Sequence, residues 1–309
     1  MGAKDTKEKE YLSDNERFAD LCNLALFNGE EVITAQDLTE KDSTEILSIL
    51  GIDTHEIHYQ QKWRDLLKGA IIKSTPQAVY VMIGVENQSD IHYAMPVKSM
   101  IYDALNYGSQ VREAAKRLKQ NKDYTSNAEF LSGFSATDKL IPIIPITLYW
   151  GADKWDAPTS LSQMFEGFDE RLQPYVPDYK IVLVSPQGLS SEQLNCLRTE
   201  LKELLGAIKY SQDKAEFETF ITNDPAFKSL DNETIEAINL FTGARIKMEK
   251  KGGATDVCKA IEDMKQEAAL KNIRNLFENG CALEMVIASF QNVSEEDIRK
   301  IYAETKAPV

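Results

Sequence analysis

Residues 66–85 read LLKGAIIK, then STPQ, then AVYVMIGV. Two apolar, β-prone runs with four residues between them, one a proline, have one simple local solution, an antiparallel hairpin. A turn centred between Thr75 and Pro76 sets Asp65 opposite Glu86 and Trp63 opposite Gln88. Side chains alternate along a strand, so Asp65, Glu86 and Gln88 share one face, with opposed residues about 5 Å apart. Two carboxylates in that position repel unless something positive lies between them. A divalent cation is one solution, because Mg²⁺ takes oxygen ligands from one or two carboxylates and keeps several waters. A solvated strand start at Asp65 and a solvated strand end at Glu86 would also satisfy the hairpin, which by itself leaves both open.

The rest of the chain places the hairpin in an α/β core. Apolar residues at helical spacing over 14–27 (Phe18, Leu21, Leu24, Ala25), with Ser13 or Asp14 as cap, predict a helix before it. A long helix is predicted over 93–120, with Pro96 near its start, where a missing N–H does no harm. LIPIIPITLYWG (140–151) reads as a buried strand whose prolines delay its regular part to about Ile146, and YKIVLVS (179–185) as another. A short helix near 160–165 lies between them, and after Ser190 every periodic segment is helical. The expected organisation is an α/β domain over 1–190, with a central mixed sheet flanked by helices, and an α-helical C-terminal region over 191–309.

Charge narrows the function. The net charge of −14 argues against nucleic acid, which is bound through Lys and Arg. Between Gln60 and Lys122, however, ten Lys and Arg face five Asp and Glu, so the basic part of an acidic chain surrounds the hairpin. Arg64, Lys68, Arg112 and Lys116 are its candidate phosphate contacts. Cys22, Cys196, Cys258 and Cys281 form no C-x-x-C pair, which points to reduced thiols, a cytoplasmic setting, and neither a zinc site nor a disulfide framework. His55 and His58 lack a nearby third ligand and read as a solvated loop. No apolar run reaches the 18 or so residues a membrane helix needs.

An acid opening one strand, a short E-x-[KQ] on the next and then a helix resembles the core of the PD-(D/E)XK nucleases. YLSDNERFADLCN, RDLLK, GVENQSDIHYAMPVKSMIYDALNY, LYWG…WDAP and LQPYVPDYKI resemble, more specifically, their recombination-promoting nuclease (Rpn-like) or transposase branch. The resemblance covers roughly residues 11–185. It implies a restriction-endonuclease-like core and a Mg²⁺- or Mn²⁺-dependent DNA endonuclease linked to recombination or mobile elements. Asp65 and Glu86 would bind the metal, and Gln88 stands where many relatives have a catalytic Lys. Gln88 can orient water but brings no positive charge; Lys98, early in the next helix, could lend one. Lys68 is the weaker candidate for that charge, since its odd separation from Asp65 points it to the other face. The superfamily often has an acid on its first core helix; Glu16 and Asp20 share one face there, and Glu16 is the candidate third ligand.

RNA as substrate stays open, and a homodimer is compatible with cutting both strands. The alternative is a catalytically weak member acting as a nucleic-acid- or protein-binding module. Near the C-terminus, IRNLFENGCALEMVIASFQNVSEEDIRKIYAE resembles a helix-turn-helix with Ser294 as cap. Its last helix opens Ser-Glu-Glu-Asp, which suits a protein contact or a closing helical hairpin better than DNA.

Overall fold

A computed structural model describes residues 3–40, 66–72, 79–167, 169–248 and 253–306. Two helices open the chain, α1 (Ala3–Ser13) and α2 (Asn15–Phe27). Asp14 caps α2 by accepting from the Glu16 and Arg17 amides. Sequence periodicity predicts α2 but not α1, which buries only Glu8, Tyr11 and Leu12 among otherwise polar residues.

Strand β1 (Leu38–Glu40) pairs antiparallel with β2 (Leu66–Ile72), and β2 pairs antiparallel with β3 (Val79–Gln88). The β2–β3 register runs from Leu66 opposite Val85 to Ile72 opposite Val79, as a turn centred between Thr75 and Pro76 requires. Residues 73–78, and Asp65, Arg64, His55 and His58, lie outside the described residues. A long helix, α3 (Met95–Asn121), and a short one, α4 (Asn127–Ser132), lead to β4 (Ile143–Tyr149), parallel to β3; β5 (Val182–Val184) is parallel to β4. The sheet is therefore five-stranded and mixed, in the order β1-β2-β3-β4-β5.

The regular part of β4 begins at Ile143, three residues before the expected start, and contains Pro145. Met82 N–H donates to the Pro142 carbonyl and Trp150 N–H to the Gln88 carbonyl. By alternation, residues 142 and 150 point their backbone groups at β3 and Pro145 points the other way. β5 pairs only from Ile146 onward, so no ladder bond needs the N–H that Pro145 lacks.

After β5 come α5 (Ser191–Cys196), α6 (Leu201–Tyr210), α7 (Lys214–Asn223), β6 (Leu230–Asp231), α8 (Asn232–Thr242), β7 (Ala254–Thr255), α9 (Val257–Glu278), α10 (Leu283–Ser289) and α11 (Glu295–Lys306). One core contains Tyr11, Phe18 and Leu21, then Val81, Ile83, Val85, Ile146 and Leu148, then Leu204, Ile208, Ile235 and Val257. Thus α1, α2, α6 and α8 cover one face of the sheet together, and packing continues straight across the boundary expected at 190/191. Polar contacts cross it too. Arg17 donates to Asp231 at 2.9 Å and Glu233 at 2.7 Å, and Tyr11 OH meets Thr234 Oγ1 at 3.0 Å. Trp150 stacks on Phe241 and meets Tyr11 edge-on. A separate small core joins the end of α9 to α10 and α11 through Ile273, Phe277, Val286, Ile298 and Ile301. Ser294 caps the acidic start of α11, with the Asp297 amide donating to its hydroxyl. The opposite face of the sheet carries α3, where Tyr107 packs on Leu67, Met82 and Ile143.

Glu203 of α6 is 4% exposed, and burial, with Asp224 and Glu200 adding to it, raises its pKa from 4.5 to about 7 against the pull of Lys202. A raised folded pKa gives stability that is present below the unfolded value and lost as pH rises through the folded one. At pH 8 the native protein therefore carries a cost that Glu203→Gln removes. The variant is expected to be more stable than wild type by about 1–3 kcal/mol at pH 8, an advantage that shrinks toward pH 5. Urea unfolding at the two pH values measures it.

Candidate active site

Strand β3 divides its side chains between two environments. Val81, Ile83 and Val85 enter the main core, and Asn87 continues that face by accepting from Trp150 Nε1 at 3.0 Å. Ser89 beyond the strand donates to Glu8 of α1 at 2.5 Å. Met82, Gly84, Glu86 and Gln88 alternate onto the α3 face.

Glu86 is 1% exposed, and Lys98 Nζ lies 2.9 Å from its Oε2. Lys98 sits on the first turn of α3, reached from the strand by the loop 89–94, and its ammonium is 5.8 Å from the centre of the Tyr102 ring. The hairpin and the helix thus bring Glu86 and Lys98 together from different elements. Gln88, half-buried, follows on the same face, and its amide nitrogen donates to the Asn87 carbonyl at 2.6 Å. Its Oε1 is the end available to a neighbour.

Two further groups complete the surroundings. Thr147 is opposite Glu86 in the parallel β3–β4 register, and opposed residues share a face. It is fully buried, and its Oγ1 has no hydrogen-bond partner among the described residues. His92, in the loop before α3, also has a buried Nδ1 without a partner among the described residues. Burial first, and then Lys98, hold its pKa below the usual 6.5, so the imidazole is neutral near pH 7. Thr147 carries a sequence signal, a lone hydroxyl in the apolar run IIPITLYW. His92 carries none beyond the scarcity of histidine.

Other candidates fall elsewhere. Lys68 is 1% exposed and donates to the Ser13 carbonyl and Asn15 Oδ1, both at 2.6 Å, with its ammonium 4.9 Å from the Phe18 ring centre. It anchors the start of α2 beneath β2 and is no surface contact for a phosphate. Glu16 is exposed on α2, whose buried face packs against the side of the sheet away from Glu86. The fold does not bring the two acids together. Asp20 accepts from the Arg198 and Thr199 amides and the Thr199 hydroxyl, fixing the turn before α6. Arg112 is half-buried and Lys116 exposed, four residues apart on α3. Asp65 and Arg64 are outside the described residues.

The donors at the site suit a hard cation: Glu86 carboxylate, Gln88 Oε1 and the unpartnered Thr147 Oγ1 are all oxygen. Among the described residues no three His, Cys, Asp or Glu side chains converge. Of the described acids, Glu86 is the one placed to meet a cation here, with waters filling the other positions.

The family model described as "Putative transposase, YhgA-like" matches residues 53–234, more than half of the chain. The match takes in β2, β3, α3, β4 and β5 and ends inside α8. No curated protein and no solved structure matches the chain.

Proposed function

We propose that this chain, which belongs to the YhgA-like transposase family, hydrolyses DNA phosphodiester bonds at the Glu86 end of β3, using Mg²⁺ or Mn²⁺ in a PD-(D/E)XK type of core. The family description attaches the chain to mobile elements and so to DNA. The observation that supports cleavage is the carboxylate of Glu86, 1% exposed and balanced by Lys98 at 2.9 Å. Burying a charged pair costs several kcal/mol per ion, and such costs concentrate where charge has work to do.

Asp65 and Glu86 would hold the cation, with Gln88 setting the position of the attacking water through its amide. A bound Mg²⁺ or Mn²⁺ supplies Lewis-acid polarisation of the phosphate and lowers the pKa of a bound water. Gln88 cannot offset charge, so the cationic role falls to Lys98, which reaches the same carboxylate from α3 instead of from β3.

The DNA would run along α3 past Arg112 and Lys116, with Lys119 also exposed on that helix and Lys122 exposed just past its end. Each phosphate contact lowers the salt slope by about one. The double variant Arg112→Ala, Lys116→Ala is expected to bind duplex DNA more weakly, with the slope of log K against log salt reduced by about two. An unchanged slope places the DNA elsewhere. Plasmid incubation with Mg²⁺, Mn²⁺ or EDTA tests the reaction itself. Nicking in the first two and none in EDTA is expected; binding without nicking in any arm would leave a nucleic-acid-binding module.

A further inference from the structure

Thr147 is a polar residue of this site with no part in the reaction proposed above. It sits mid-strand in β4, fully buried, in an otherwise apolar sequence, with Glu86 directly opposite and Val85 and Asn87 flanking that partner. Its methyl and hydroxyl occupy space a valine would fill without penalty. The hydroxyl has no partner among the described residues, and a buried hydroxyl left unpaired lowers stability. A strand that needed only packing there would be more stable with valine.

We infer that Thr147 is a positioning residue: its Oγ1 hydrogen-bonds a water in the coordination shell of the divalent cation bound at Glu86. The inference rests on the proposed metal site and adds a residue to it. A hydroxyl can accept from or donate to such a water, whichever the Glu86 carboxylate requires. Partners of metal-bound groups hold ligands in place, and losing one weakens metal affinity by about 10–100-fold. Thr147 stands on β4, the strand next to the hairpin, so the cation shell would be fixed from two strands at once.

The test is calorimetric titration of the full chain with Mn²⁺, together with melting in EDTA, for wild type, Thr147→Val, Thr147→Ser and Glu86→Gln. Thr147→Val is expected to bind Mn²⁺ about tenfold or more weakly while melting at or above the wild-type temperature. Thr147→Ser, which restores the hydroxyl, is expected to recover affinity. Opposite movement of affinity and stability is something a packing role would not produce. Equal Mn²⁺ affinity in wild type and Thr147→Val, with Glu86→Gln impaired, overturns the role of Thr147 alone. No Mn²⁺ binding by wild type overturns the metal site and this inference with it. A valine variant that loses affinity and stability together, unrescued by serine, assigns Thr147 to packing.

Discussion

Lys98→Ala is expected to destabilise the metal-free protein by about 1–3 kcal/mol, less than the loss of one partner from a fully buried ion pair, because its ammonium is partly exposed. Its ammonium is 2.9 Å from Glu86 Oε2, and Glu86 is 1% exposed. Without that ammonium the buried Glu86 carboxylate loses the charge that α3 brings to it. Mn²⁺ should then stabilise the variant more than the wild type, since a divalent cation at Glu86 replaces the missing charge and binding adds stability by mass action. Chemical unfolding at pH 8, with and without Mn²⁺, measures both effects. A Lys98→Ala protein as stable as wild type at pH 8 would show that the pair carries no such charge balance.

Asp65→Asn and Glu86→Gln are expected to lower metal-dependent nicking by at least a hundredfold while leaving the protein folded. Each replaces a carboxylate by a neutral amide of the same size, so side-chain volume is kept, and at Glu86 the β3–β4 pairing persists. What changes is charge: an amide is a poor ligand for a hard cation in a site that offers one or two carboxylates. Removing one preorganised group that stabilises charge costs about 10²–10³ in rate, and loss of the cation removes water activation as well. Circular dichroism spectra matching wild type separate loss of chemistry from loss of fold.

The hairpin was legible because two short-range constraints agree. Alternating apolar residues define the inward faces of β2 and β3, and a four-residue connection leaves little freedom of register, which the pairing of Leu66 with Val85 follows. Lys98 was legible as a candidate because Pro96 marks the helix start just before it. Lys68 was not, since composition cannot show whether a lysine on a strand meets water or, as here, the end of α1 and start of α2. Helical periodicity after residue 190 shows that a face must be buried but not against what. The long-range contacts of α6 and α8 with α1 and α2 are set by tertiary packing. Pro145 delayed the expected start of β4 because a sequence does not tell which side of a strand is still unpaired.

Cleavage through Glu86 is the step on which the proposed function depends. It is tested most directly by the initial rate of plasmid nicking in Mn²⁺ by wild type and Glu86→Gln, with EDTA as control. Metal-dependent nicking by wild type and a loss of at least a hundredfold in Glu86→Gln is the expected result. Equal nicking by the two proteins would contradict it.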